Sequence, residues 1–398
     1  MAAQAIVALS MPILTRLYSP SDFSLLAVYA SILGLISVVS CLRFNIAIPL
    51  PQKPIEGLAL LVLSLISAVV CAVLTAIPVI FFPRLTANLL GQSALLPYLW
   101  MVPVGVMLAS SYDALQYWAS RKRQFALITR TRVVRAVGGV GSQLAIGGAA
   151  PSPFGLIFGH MLYSGLGVVD LMRVLWRTNR TLLRTITHTR LIATARSYRR
   201  FPLFSVPEAL FNTIGLEVSI LIIAAAAVGP EAGFLMLALR VMGLPMALIG
   251  NSVAQVFLVE APIRMRAGAL PTFTQRAMLT LFKAGAPPLI IVGVISPWVF
   301  PVVFGQEWAR AGVIVAWLTP MCILQFVASP VSMILHVTGR VIWAMWLQIV
   351  GAIVRVGCVA IAGSAAPSRL IEVFSISGAT FYLAYLIVIY VLIRGRNR

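Results

Sequence analysis

Apolar residues run along the chain in twelve stretches: 2–15, 22–42, 57–82, 94–118, 134–150, 153–176, 203–228, 232–258, 278–303, 311–336, 341–363 and 371–393. Charged residues, Pro and Gly collect in the gaps between them. A hydrocarbon core about 30 Å thick takes roughly 20 apolar residues per helix. In lipid every backbone amide must be satisfied within its own segment, and no alternating barrel pattern is visible. The pattern therefore predicts an all-α, polytopic membrane protein of about 12 transmembrane helices. The first stretch is short, because about 14 residues reach only about 21 Å. That length predicts a truncated helix or a start codon further upstream. Without a charged leader and a cleavage site, the stretch does not read as a signal peptide.

Composition narrows the picture further. Of the residues, 60% are hydrophobic and 10% charged, with mean hydropathy +0.99, so the charges cannot solubilise a 398-residue globule. The 30 basic residues are distributed unevenly, and 24 of them fall in every second gap. These are Arg43 and Lys53, six from Arg121 to Arg135, eight from Arg173 to Arg200, four from Arg264 to Lys283, Arg340, and Arg394, Arg396 and Arg398. The other gaps hold only Arg16, Arg84, Arg310 and Arg369. Basic residues are retained on the cytoplasmic side, so this bias predicts that both termini are cytoplasmic. A formal net charge of +20 could point to nucleic acid, but no basic segment free of the membrane and no aromatic-interleaved motif supports that. Anionic membrane lipids explain the charge better.

The longest cytoplasmic gap, RTNRTLLRTITHTRLIATARSYRRF, carries seven arginines, one histidine and no acid. It predicts an amphipathic helix on the inner leaflet, with Leu183, Ile186 and Leu191 dipping into lipid. Six segments precede it and six follow. Residues 1–176 and 203–398 are thus expected to form two six-helix lobes, with 177–202 as a basic linker. Both lobes start on the same side, so a repeat would be parallel. A weak echo between YSPSDFSLLAVYASILG and VGPEAGFLMLALRVMG, with Pro20 and Pro230 at equivalent turns, agrees with this.

Catalytic chemistry is poorly represented. His160, His188 and His336 have no metal-ligand spacing, and no GxSxG, Walker A or dinucleotide fingerprint is present. No metal or cofactor is expected. Cys41, Cys71, Cys322 and Cys358 stand singly in apolar stretches and read as small hydrophobes. GGVG at 138–141 reads as a close helix contact. The outer gaps are short, which counts against an enzyme that works on glycans outside the membrane. The chain is accordingly expected not to be an enzyme.

Ionisable groups inside the apolar stretches require a reason, since each costs at least about 2.5–3.5 kcal/mol to insert. Arg240 lies about 12 Å into its segment, and Asn251 and Gln255 fall close to it on a helical wheel. Ala344, Gln348, Gly351 and Arg355 share another face. For Arg240 and Arg355 a water-filled anion cavity competes with a structural ion pair. For Arg16 and Arg43, near helix ends, snorkelling to headgroups is the simpler reading. Asp113, Asp170, Glu208 and Glu217 are the available acids. Glu208 and Glu217, nine apart, point to opposite faces of one helix. Asp113, Glu208 and Glu217 are candidates for ion pairing or ion coupling.

Several stretches, taken in order, resemble Wzx-type polysaccharide flippases of the multidrug, oligosaccharidyl-lipid and polysaccharide exporter superfamily. They are PILTRLYSPSDFSLLAVYASI (12–32), CLRFNIAIPLP (41–51), FPLFSVPEALFN (201–212), GPEAGFLMLALRVMGLPMALIGNSVAQVF (229–257) and FPVVFGQEWARAGVIVAWLTPMCILQFVASP (300–330). The short first helix, and Ser21 and Ser24 where acidic or glycine residues are usual, depart from the pattern. The resemblance implies two six-helix lobes around a central cavity that faces each side in turn. It also implies transport of undecaprenyl-diphosphate-linked oligosaccharide across the bacterial cytoplasmic membrane for surface polysaccharide synthesis. By motif position it places Arg16, Arg43 and Arg240 in the cavity. Asn251 and Arg355 join them as candidates from the helical faces. Lipid-linked oligosaccharide and membrane lipids are the implied partners, with a polysaccharide polymerase and a chain-length regulator beside them. The rival readings are a drug or cation antiporter of the same superfamily and a membrane polymerase or acyltransferase. Pro245 and Pro330 are candidate bends for rocking of the lobes.

Overall fold

The computed structural model describes residues 2–227, 229–246, 270–332, 334–335 and 341–394, and almost all of them are helical. They divide into two compact units, Met1–Glu217 and Val218–Arg398. Among the described residues, eight helical stretches are long and apolar enough to cross a membrane, from Pro20–Ser40 to Pro367–Leu392.

The first unit contains α1 (Ala2–Leu17), α2 (Pro20–Ser40), the short α3 (Phe44–Ala47), α4 (Pro54–Phe81), α5 (Pro83–Leu89), α6 (Met101–Arg121), α7 (Phe125–Ala149), α8 (Pro153–Gly165), α9 (Val168–Arg184) and α10 (His188–Ser197). It also takes the first half of α11 (Val206–Ala226). α1 is apolar but shorter than a full span. α6 and α7 are long enough at 21 and 25 residues. They are more polar than the other long helices because Asp113, Arg130, Arg132 and Arg135 lie on them.

Much of the first quoted motif works as a fold signal. Ser19 caps α2 by accepting from the Asp22 backbone N–H, while Asp22 Oδ2 accepts from the Ser19 N–H at 2.9 Å and Pro20 occupies the first turn. This reciprocal box satisfies donors that a helix start otherwise leaves open. Tyr18 donates its hydroxyl to the Gln143 carbonyl at 2.7 Å and ties the turn to α7. α7 and α8 approach closely at glycine: a Cβ on Gly139 would stand 3.0 Å from the Gly159 carbonyl oxygen. The small-residue contact expected of GGVG is present.

Two expectations change here. The stretch 153–176 continues as one candidate span, Pro153–Arg184, in which α8 passes into α9 through helical angles at Leu166 and Gly167 and α9 runs on to Arg184 with a kink at Asn179. Leu183 and Ile186, expected to dip into lipid, instead pack with Leu182, Ala195, Tyr198 and Phe201 against the core of Leu58, Leu61, Leu115 and Trp118. An apolar face finds the protein interior when the fold brings that interior within reach, and the arginines of the linker are then left pointing outward. Burial, with Glu56 nearby, raises the Tyr198 phenol above its ordinary value, while Arg121 opposes the shift.

The second unit contains the helix 231–246, called α12, then α13 (Leu270–Val303), α14 (Ala309–Val331), α15 (Val341–Ala365) and α16 (Leu370–Arg394). α13 starts at Leu270, eight residues before the expected apolar stretch. Trp308, buried ahead of α14, meets Phe234 of α12 edge to face at 5.8 Å. Arg310 holds three helix starts together, with Nε 3.2 Å from Glu231 Oε1 and Nη2 3.1 Å from Glu372 Oε1. Both acids lie in first helical turns, where the macrodipole favours negative charge.

Candidate functional site

In the first unit, charged side chains gather where α2 gives way to α3. Leu42 and Arg43 both adopt left-handed backbone conformations, with φ 48° and 60°. Two successive non-glycine residues of this kind cost on the order of 1–3 kcal/mol each and need a surrounding structure that enforces them. The turn leaves Arg43 half-buried, with its Nε enclosed and without a hydrogen-bond partner. Burial lowers the Arg43 guanidinium below its ordinary value, and Tyr117, Glu208 and Asp113, in that order, oppose the shift. Arginine keeps its charge even so, and its enclosed Nε N–H is left without an acceptor.

Asp113 and Tyr117 are four apart on α6 and so stand one above the other. Asp113 is exposed. Its strongest charged neighbour is Arg135 and its next is Arg43. Arg135, on α7, donates from Nε to the Tyr163 carbonyl, and its Cζ lies 3.8 Å from the Tyr112 ring centre and 5.0 Å from that of Tyr163. Sequence reasoning missed this residue. Arg135 was counted among the orienting charges, although it falls inside the apolar stretch 134–150, and that position was the available signal.

The two acids of α11 separate as their spacing requires. Glu208 lies in the field of Arg43, while Glu217 hydrogen-bonds Ser31 and sits beside Gly34 on α2. Asp170 is part of a surface pairing with Arg130 and Arg173, at 3.8 and 3.3 Å. Arg16 is exposed in the last turn of α1.

In the second unit, Arg240 is half-buried on α12. Asn251 and Gln255 lie outside the described residues. Arg355 is only 2% exposed. Its Nε donates to the Gly351 carbonyl at 3.0 Å, and its Cζ lies 4.2 Å from the Phe381 ring centre and 5.9 Å from that of Tyr382. The face shared by Ala344, Gln348, Gly351 and Arg355 thus turns at Gly351 and Arg355 toward α16. A Cβ on Gly351 would fall 1.9 Å from the Phe381 ring, so glycine is required for that close approach. Within the first unit Arg43 thus feels the charges of Asp113 and Glu208, and Asp113 that of Arg135; within the second, Arg355 lies against aromatic rings.

Among the described residues no group of three or more His, Cys, Asp or Glu side chains is arranged to hold a metal. What the first-unit cluster offers is an anion contact with acids close by. A partnerless guanidinium N–H suits a phosphate oxygen, because charge-assisted bonds from arginine to phosphate are short and strong.

Comparison with known proteins agrees with the architecture. An inward-facing multidrug resistance MATE family transporter of the MOP superfamily superposes with a TM-score of 0.68 at 15% identity, covering 100% of this chain and 95% of its own. A mutant of the Vibrio cholerae MATE transporter VcmN gives 0.61 at 10% identity, covering 99% and 93%. A MATE structure in complex with MaL6 gives 0.59 at 14% identity, covering 100% and 93%. At these identities the likeness is one of fold. No curated protein matches the sequence. The family model described as polysaccharide biosynthesis protein matches residues 13–312. That match spans most of the chain and includes α2, the Arg43 turn and the α6–α7 cluster. This multi-pass membrane protein, whose helical fold is similar to that of the MATE transporters above, belongs to the polysaccharide biosynthesis protein family.

Proposed function

We propose that this chain moves undecaprenyl-diphosphate-linked oligosaccharide from the inner to the outer leaflet of the bacterial cytoplasmic membrane, acting as a carrier and not as an enzyme. Family membership supports polysaccharide assembly, and the transporter fold supports movement across the bilayer. The observation that carries the substrate class is Arg43, a guanidinium with an enclosed, unpartnered Nε on a left-handed turn.

The physical problem is the diphosphate. Its charge is penalised in hydrocarbon far more than the polyprenyl tail, so the carrier must supply a wet, cationic path for the headgroup while the tail stays in lipid. Arginine suits the task, being permanently charged and able to grip phosphate with a planar fork. In this reading Arg16, Arg43 and Arg240 contact the headgroup, with Asn251 on the helical face of Arg240 and Arg355 supporting the second lobe. Asp113, Glu208 and Glu217 limit the net charge or couple the cycle to an ion. Rocking of one lobe against the other supplies alternating access. A polysaccharide polymerase and a chain-length regulator take over the product outside.

The test is transport of a fluorescent undecaprenyl-diphosphate oligosaccharide in proteoliposomes. Wild-type protein should make the probe accessible in the outer leaflet, and Arg43→Asn, which suits a left-handed backbone, should not. Equal rates for the two proteins would overturn the reading. Gradient-driven efflux of a cationic dye that ignores Arg43 but requires Asp113 would establish the antiporter instead.

A further inference from the structure

Arg355 carries a charge that the described part of the second unit does not balance. The residue is 2% exposed and lies in Ile342–Ala365, a stretch long and apolar enough to cross a membrane. Among the described residues, no carboxylate oxygen lies within 4.0 Å of its guanidinium. The described acids of this unit are engaged elsewhere: Glu231 and Glu372 pair with Arg310, and Glu307 is exposed just before α14. Around Arg355 stand the Gly351 carbonyl, 3.0 Å from Nε, the Phe381 ring, 4.2 Å from Cζ, and the Tyr382 side chain, which hydrogen-bonds the guanidinium. Nη2 is enclosed and without a partner.

A carbonyl, a phenol and a benzene ring are all neutral. They offset part of the cost of burying a guanidinium, but they leave its charge without a counter-charge in a low-dielectric interior. Arginine cannot escape by losing its proton. A water at Nη2 satisfies the N–H and leaves the charge; an anion answers both. Enclosure favours a single-atom anion over a lipid diphosphate. Gln348, seven residues earlier on the same face, adds a second enclosed atom without a partner, Oε1. The bond from Nε to the Gly351 carbonyl folds the guanidinium back toward Gln348, and Gly351 and Gln348 are only about 4.5 Å apart along the helix axis. A water that donates to both Gln348 Oε1 and the anion completes such a site.

We propose that Arg355 binds a small monovalent anion, chloride in the cell, at Nη2 between α15 and α16, and that this ion is the counter-charge of the α15–α16 contact. The proposal stands on the second unit alone and is independent of the substrate class argued above. Gly351 shapes the site, since its lack of a Cβ lets the Phe381 ring approach α15 beside the guanidinium. The ion binds the folded chain and not the unfolded one, so it stabilises the fold by mass action.

The experiment uses the full chain in phosphatidylcholine nanodiscs, which carry no net lipid charge. Thermal unfolding is followed by tryptophan fluorescence in sodium chloride, sodium bromide or sodium gluconate at equal ionic strength. The wild-type midpoint should rise with the logarithm of halide concentration and exceed its gluconate value by about 5 °C or more. Arg355→Met should melt at nearly the same temperature in all three salts, close to wild type in chloride and above it in gluconate. Gln348→Leu, which keeps the charge and removes the water's acceptor, should need more halide for the same midpoint. Crystals grown in bromide should show an anomalous peak beside Arg355 Nη2.

Equal wild-type midpoints in chloride and gluconate overturn the proposal. So does a halide effect of the same size in Arg355→Met, the mark of a general salt effect or of an ion bound elsewhere. If Arg355→Met does not fold, the bromide peak decides, and its absence at Nη2 overturns the proposal in favour of water alone. Undecaprenyl diphosphate that raises the wild-type midpoint where halide does not would also overturn it and return Arg355 to the headgroup path. A failure of the transport assay leaves the melting curves untouched, so the two readings fail separately.

Discussion

Arg43 and Arg355 are the same residue type in two units of one membrane protein, and their surroundings differ in kind. Arg43 sits on a left-handed turn, half-buried, with acids and a phenol in its field and a bare Nε. Arg355 is buried in a helix contact, with its Nε on a backbone carbonyl and the Phe381 ring 4.2 Å away. Its Nη2 is also unpartnered and, like the Nε of Arg43, enclosed. An arginine inside a membrane protein is therefore a functional signal only together with its access. The first is a half-buried side chain among acids and a phenol, and the second is almost wholly buried beside aromatic rings.

The sharpest way to break this contrast is to remove both guanidiniums in turn. Arg43→Asn should lower transport of the lipid-linked probe by about 10- to 100-fold, the loss expected for charge-assisted hydrogen bonds, while thermal unfolding in detergent stays near wild type. A comparable loss of melting temperature would make Arg43 a structural residue like Arg355. Next in size, Gly351→Ala should destabilise the second unit by about 1–3 kcal/mol through overpacking against Phe381, read as a lower midpoint in denaturant. An unchanged midpoint would show that the α15–α16 contact is loose and Arg355 accessible. Arg310→Gln should cost about 1 kcal/mol or less, because its partners are only partly buried. Its loss of stability should shrink in high salt, unlike that of Gly351→Ala. The smallest effect is expected of Arg355→Met, since replacing a buried charge by an apolar side chain of similar length is often neutral or stabilising. Transport reduced to the level of Arg43→Asn would return Arg355 to the headgroup path.

Much of the fold was legible because lipid imposes so few solutions. Apolar length and the segregation of 24 basic residues made a multi-pass helical protein the natural reading without any contact being known. Boundaries were less legible where polarity ran into the helices. α7 begins at Phe125, well before the apolar stretch at 134, because arginines at its start do not stop a helix whose other residues pack. The linker shows a different limit. Its amphipathic pattern was read correctly as having an apolar face, but the pattern does not say whether lipid or protein covers that face, and Leu183 and Ile186 found protein.

The candidate site was legible in part. Arg43, Asp113 and Glu208 were each singled out, on three separate helices or turns, yet nothing in their spacing joins them across α2, α6 and α11. Arg135 escaped because a charge near a helix end has an adequate topological explanation. The sequence by itself determined the solvent, the helical class, the expected orientation and the roster of intramembrane charges, since these depend on composition and period along one chain. Tertiary structure alone decided that Arg43 and Arg355 each keep an enclosed, unpartnered N–H and that Arg135 and Arg355 lie against aromatic rings. Those properties depend on what other helices place within a few ångströms, and hydrogen bonding and charge interactions in a low-dielectric interior are decided at that range.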